Sequence, residues 1–336
     1  WRLAAFLHVQ GMARRDKVTL LLPREWEGAG IWTKQDFEES LGKAERTAMK
    51  MVIGERVKMT NYRAPKDPRQ DRVFVVVQFK GERSSKMALI RRTGYPVACV
   101  TVEPGTPLSR YMQFIHYVVF GVAWLRNVNF VTQPNVELYK SIASRLHGEA
   151  RKAGGIAKTR EWREGSRSAA WRGRVTLCWD RLAGAETDGT TAPAIYASLV
   201  RQFTEARRIE YGELTFFGDT RYSARGRAVR TVLDRAAERI FRAGLKMPAD
   251  VYEGPAMNHS YHEMIIGCGK CFSTILIAGL AKGADYHGAQ FLATQIALTE
   301  RGRAVVSITL KDLENATIAA LDEFFAQAAK YLKVRK

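Results

Sequence analysis

The chain has 336 residues, 46% hydrophobic and 26% charged, and its 53 Lys and Arg against 34 Asp and Glu give a net charge of +19. That length accommodates one large core or two ordinary ones, and the composition is that of a soluble globular protein. The longest apolar run, Tyr117–Leu125, is shorter than the about 20 residues of a bilayer span, so no membrane partner is expected, while a charge this large attracts polyanions and small phosphates.

In chain order, the hydrophobic patterning predicts a helix over Arg2–Met12, a strand over Lys17–Leu22, and a helix over Ile31–Leu41 that Gly42 stops as a C-cap. A strand follows at Met51–Ile53, and Asn61–Asp71, with two prolines and many charges, reads as a loop. Then come a strand at Val73–Gln78, a helix at Ser84–Arg92, a strand at Ala98–Val102, and helices at Ser109–Leu125 and Pro134–His147. Pro134 suits a first helical turn, with Thr132 or Gln133 before it as cap. Continuous apolar strands separated by amphipathic helices imply a parallel sheet covered on both faces, so residues 1–150 are expected to be one α/β domain.

Residues 151–174 are rich in Gly, Arg, Lys and Ser and read as a linker. Residues 175–336 read as a second α/β unit. Its strands are expected at Val175–Trp179, Glu213–Phe217, Phe272–Ile277 and Val305–Leu310, and its helices at Pro193–Arg207, Arg225–Gly244, Ala289–Arg301 and Leu313–Leu332. The sequence shows no internal repeat.

Three segments carry chemistry. In Trp32–Lys43, Gln35 and Glu39 are four apart and share a helix face; a carboxylate near the mouth of a strand–helix unit is where an α/β protein places a general base. In Asn129–Lys140, Gln133 and Lys140 are about two helical turns apart and project from nearly the same face. Met257–Glu263 offers His259 and His262 on an expected loop before the strand Phe272–Ile277.

Q-x-x-x-E-S-x-G-K over Gln35–Lys43 resembles a signature of glucose-6-phosphate isomerases, and Asn129–Lys140 resembles that family's N-x-F-D-Q-P-x-V-E-x-x-K, with Thr132 where the family has Asp. The likeness is greatest to the isomerase half of bacterial transaldolase–isomerase fusion proteins. Arg14–Val18, Asp71–Val75, Tyr95–Val97, the aromatic helix Met112–Trp124, Ala289–Gln290 and Glu300–Val305 resemble that group too, and residues 150–230 match it least. The resemblance implies a sugar-isomerase, flavodoxin-like three-layer sandwich and a cytoplasmic, cofactor-free enzyme that interconverts glucose 6-phosphate and fructose 6-phosphate.

It also implies roles. Glu39 is the base that moves a proton between C2 and C1 through an enediol, His259 opens the sugar ring, Lys140 steadies the ring oxygen and developing charge, and Gln35 and Gln133 bind substrate. A homodimer is implied, as in dimeric relatives. The family's phosphate-binding Ser/Thr loop has no match here, and Arg221-Tyr222-Ser223 resembles its R-[FY]-S motif in the wrong place, so the 336 residues are expected to be part of a longer protein.

Other readings compete. A sugar-phosphate-binding regulatory module would use the same residues without turnover. His259, His262, Cys268 and Cys271 are zinc-competent ligand types, but with one CxxC and tighter spacing than common fingers; no metal is expected. The basic surface gives nonspecific nucleic-acid attraction, without a zinc finger, RNA-recognition signature or basic heptad region. Few cysteines in a long chain suit a reducing cytoplasm.

Overall fold

Apolar, β-branched runs such as Val73–Val77 pair in parallel, and amphipathic helices return the chain between them. The computed structural model describes residues 1–82, 84–163, 167–182, 184–255, 258–279 and 285–333. The protein is α/β, and it divides into two units, Trp1–Pro134 with His259–Cys268, and Asn135–Asn258 with Gly269–Lys336.

The first unit opens with α1 (Arg2–Met12) and β1 (Lys17–Leu21), then α2 (Ala29–Leu41), β2 (Lys50–Val52), β3 (Arg72–Phe79), α3 (Ser85–Thr93), β4 (Val97–Val102) and α4 (Leu108–Arg126). Every expected strand and helix of this stretch is present, displaced by a few residues at most. The four strands are parallel in the order β2-β1-β3-β4, which is the order that begins a flavodoxin-like sheet. Right-handed crossovers that leave β1 and β3 in opposite directions send their helices to opposite faces. Accordingly Val18, Leu20, Val73 and Val75 pack with Leu7 of α1, Phe37 of α2 and Val119 of α4, while Phe74 and Val76 pack with Met87 and Ile90 of α3 and with Tyr62 and Tyr95. This is the expected three-layer sandwich.

The second unit begins with α5 (Pro134–Ala153), α6 (Arg160–Arg163), β5 (Ser168–Trp171), β6 (Val175–Cys178), α7 (Ala192–Glu205), β7 (Tyr211–Phe217), α8 (Ala224–Ala236) and β8 (Ala249–Gly254). Next in the chain is α9 (Asn258–Gly267), whose residues from His259 on belong to the first unit; β9 (Cys271–Ala278), α10 (Asp285–Glu300), β10 (Ala304–Leu310) and α11 (Asn315–Lys333) complete the second. Its sheet runs β5-β6-β10-β9-β7-β8. The parallel part, β8-β7-β9-β10, repeats the strand order of the first unit, and the antiparallel pair β5–β6 extends it. The repetition is of topology, which a search for similar residues does not reveal. The core is aromatic: Tyr196 lies edge-on to Phe272, Phe324 and Phe325 and shares a 2.8 Å hydrogen bond with Thr274.

Four expectations need correction. The linker expected over 151–174 contains the end of α5, a short helix and β5, which pairs with β6 through a turn with left-handed backbone at Arg172 and Gly173; its residues 164–166 lie outside the described residues. The unit boundary falls before α5 rather than after residue 150. Strand β8 has no counterpart in the sequence reading, because Asp250 and Glu253 interrupt its apolar character. The helix expected over Arg225–Gly244 is α-helical only to Ala236 and continues as a π-helix over Ala237–Leu245.

Candidate functional site

The last turn of α2 carries two adjacent glutamates with opposite environments. Glu38 is fully buried, and its Oε1 lies 3.0 Å from Lys34 Nζ and 3.2 Å from Lys50 Nζ. The same oxygen accepts from Met51 N, and Lys34 donates to Met51 O, so the end of α2 is fastened to the start of β2. This placement corrects one sequence expectation. In a β–α–β unit the helix runs back along the strands, so its C-terminal turn lies at the N-terminal edge of the sheet, away from the strand ends where open α/β sheets usually bind ligands.

Glu39 turns the other way and is 21% exposed. His259 Nδ1 stands 3.0 Å from its Oε1, Gln133 Nε2 donates to that same oxygen, and Gln35 Nε2 is 3.5 Å from Oε2. Three of the four other predicted residues therefore meet the glutamate, from α2, the segment after α4, and α9, all inside the first unit. Lys140 belongs to the second unit. It is exposed on α5, with Nζ 3.1 Å from Glu137 Oε1.

His259 is not on a loop, as its sequence context suggested, but in the first turn of α9. With Nδ1 donating to the carboxylate, the ring presents Nε2 as its free nitrogen; the side chain is 44% exposed. His262 is buried on the same helix. Among the described residues no group of three or more His, Cys, Asp or Glu is placed to hold a metal ion. Met257 of the same segment lies outside the described residues.

Two further features had weak signals in the sequence. Lys43, the last residue of the first motif, donates to the backbone oxygens of Glu39 (3.3 Å) and Thr132. Burial pulls its pKa below the usual lysine value, against Glu263 and Glu39, which pull it up. Thr132 thus takes part through its backbone carbonyl. One turn before Glu39, Asp36 faces His116 of α4 at 3.1 Å, and the imidazole lies edge-on to Trp32. Burial raises the Asp36 pKa and Glu39 adds to this, while His116 opposes it. No motif marked that pair; only the i, i+3 spacing of Asp36 and Glu39 could have.

Arg221-Tyr222-Ser223 has a structural explanation. Asp219 accepts from the backbone N–H groups of all three residues, Ser223 caps α8, and Arg221 pairs with Glu253 at 2.6 Å. A hydrogen bond from the Ser223 side chain, with those from the three backbone N–H groups, holds the Asp219 carboxyl well below the usual carboxylate range.

The arrangement at Glu39 joins a half-buried carboxylate, an imidazole and two amides. It can accept a proton at Glu39, pass one at His259 Nε2, and orient hydroxyl groups with Gln133 and Gln35.

Among the described residues no helix is long and apolar enough to cross a membrane. No family model and no curated protein matches the sequence. Solved structures resemble it, among them the following three. A hypothetical protein of Thermus thermophilus is 10% identical over 98% of this chain and 83% of its own, with a TM-score of 0.32. A glucose-6-phosphate isomerase of Chlamydia trachomatis is 13% identical over 98% and 68%, with a TM-score of 0.31. A proposed phosphosugar isomerase of Clostridium difficile is 10% identical over 89% and 91%, with a TM-score of 0.23.

Proposed function

We propose that this chain carries the proton-transfer site of an aldose–ketose isomerase acting on a phosphosugar, with glucose 6-phosphate and fructose 6-phosphate as the pair. The observation that supports it is the meeting of Glu39, Gln133 and His259: three segments chosen from two separate motifs and a histidine segment bring their side chains to one carboxylate oxygen.

In this reading Glu39 removes the C2 proton of the open-chain aldose and returns it to C1, while the hydroxyl proton moves from O2 to O1, so nothing is gained or lost. Substrate displaces His259 and Gln133 from Glu39 Oε1. His259 Nε2 then serves the ring oxygen during opening, and the two glutamines hold hydroxyl groups. Lys140 is assigned to the developing oxyanion, where a point cation is useful. No cofactor is required, because a carboxylate base and oxyanion donors suffice for an enediol reaction.

Glu39→Gln tests this directly. Exchange of the C2 proton with solvent is expected to fall about 10²–10⁴-fold, the usual worth of a general base, with sugar-phosphate binding largely kept. Normal exchange in the variant removes Glu39 from the role. Wild-type protein that binds fructose 6-phosphate and exchanges no proton favours the regulatory module instead.

A further inference from the structure

The net charge of +19 is unevenly placed. From Glu55 to Arg92 there are eleven Lys and Arg against four Asp and Glu, an excess of more than a third of the total. The fold gathers these cations on the α3 side of the first unit's sheet. Arg56, Lys66 and Arg69 are exposed on the connection between β2 and β3, and Lys86, Arg91 and Arg92 are exposed on α3. Parallel strands are ordinarily joined through a helix, yet this connection, from Ile53 to Asp71, is irregular apart from one 3-10 turn at Met59–Asn61. Long connections of that kind are usually either binding loops or disordered, and buried anchors order this one. Glu55 pairs with Arg72 of β3, whose guanidinium lies over the Tyr62 ring, and Tyr62 packs edge-on to Phe74 and Tyr95. Three contacts join the connection to the end of α3: Tyr95 Oη donates to Arg63 O at 2.7 Å, Thr93 Oγ1 lies 3.7 Å from Met59 Sδ, and Pro65 borders Gly94. Loop and helix thus form one basic face. Its carboxylates are engaged nearby. Asp67 accepts from Arg69 N, Glu82 accepts from Phe79 N, and Asp71 faces Lys17 at 3.7 Å.

We propose that this face binds a nucleic-acid duplex through its phosphates, independently of the site at Glu39. The face offers cations on a fixed frame. The nine residues of α3 span about 13 Å, a length over which a duplex presents about eight phosphate charges. What the face lacks narrows the partner. Among the described residues from Glu55 to Arg92 no large hydrophobic side chain is exposed, and Tyr62 and Tyr95 are buried. Single strands are held by stacking their bases on exposed aromatic rings, and helices lying on a membrane bury apolar side chains in it. Phosphate contacts from Arg and Lys need neither.

Fluorescence anisotropy with a 20-base-pair DNA duplex, the RNA duplex and the single strand, between 50 and 200 mM salt, tests the proposal. The full chain is compared with two folded variants of equal net charge, checked by circular dichroism. One combines Arg56→Gln, Lys66→Gln, Arg91→Gln and Arg92→Gln; the other combines Arg151→Gln, Arg207→Gln, Arg301→Gln and Lys330→Gln, exposed cations of the second unit. The wild type is expected to bind a duplex at micromolar concentration in 50 mM salt. The logarithm of its affinity should fall with the logarithm of salt at a slope of about −4 to −5, as for roughly five phosphate contacts. The first variant should bind about 100-fold or more weakly and lose about four units of slope, since each phosphate contact contributes about one. The second should stay within about fivefold of wild type. The DNA and RNA arms assign the duplex, and either one supports the proposal. Equal losses in the two variants would show that net charge alone attracts the duplex and would overturn it. No duplex binding by the wild type overturns it as well, and so does tighter binding to the single strand or to vesicles of anionic phospholipid.

Discussion

Gly42 and Met264 meet backbone to backbone: a Cβ on Gly42 would stand 2.9 Å from both Cα and N of Met264. Gly42 has φ −69° and ψ 1°, so its dihedrals alone do not demand glycine. Glycine is needed because a Cβ there would crowd the Glu38 carbonyl oxygen one turn back and the backbone of α9, which passes directly over the end of α2 and carries His259. Replacement by Ala has no flexible side chain to push aside. We expect Gly42→Ala to destabilise the protein by about 1–3 kcal/mol, the usual cost of overpacking, and to lower turnover further by moving His259 from Glu39. Urea unfolding and proton-exchange assays check this; a variant with wild-type stability and rate would show that α9 is not held by that approach.

Glu38 and Glu39 should separate stability from chemistry. Glu38 is shared by two buried lysines, and removing the carboxylate of a buried ion pair costs about 3–5 kcal/mol. Glu39 is partly exposed, and as an amide it keeps one acceptor oxygen for Gln133 and His259 and gives up only the long contact with Gln35, so Glu39→Gln is expected to change stability by less than about 1 kcal/mol. Denaturant titration of Glu38→Gln beside Glu39→Gln decides the matter. Equal losses would mean that both glutamates are structural.

The first unit was legible because its strands are continuous apolar runs and its helices have one apolar stripe each; periodicity sees both. The pairing of Glu39 with Gln133 was legible only through motifs, since no local pattern relates residues 94 positions apart. The helical setting of His259 was hidden because α9 mixes buried polar residues, Ser260, His262 and Glu263, with buried apolar ones, which erases any amphipathic signal. Gly42 read as a cap because the sequence shows where a helix stops but not which backbone crosses there. Strand β8 was lost to Asp250 and Glu253 for a related reason: the identity of its neighbours, not its own composition, makes it a strand.

His259→Gln should divide ring opening from proton transfer. Turnover of cyclic hexose phosphate is expected to fall about 10²-fold or more, the worth of one general acid–base group. An aldotetrose 4-phosphate cannot form a furanose ring, because its O4 is esterified, so exchange of its C2 proton should fall far less. Parallel loss on both substrates would instead assign His259 to orienting Glu39.

Tyr111 supplies a pH signature of the fold that supports α2. Its hydroxyl is 2.8 Å from Thr33 Oγ1 on that helix, and burial pushes its pKa up from 10.0 to about 12, against the Thr33 hydrogen bond, which lowers it. The unfolded chain therefore gives up this proton first. The contribution is complete below pH 10, declines as the pH rises, and is gone above the folded value, a loss of about 2–3 kcal/mol for a shift of this size. Tyr111→Phe lacks both the hydrogen bond and the titration. It is expected to be about 1 kcal/mol less stable than wild type at pH 8, and that gap should close and then reverse as the pH approaches 12. Other raised tyrosines, Tyr95 and Tyr196, are common to both proteins and cancel in the difference. Urea unfolding of the two proteins across this range measures it, and a gap that stays constant with pH would show that Tyr111 titrates at the same pH in the folded and unfolded chains.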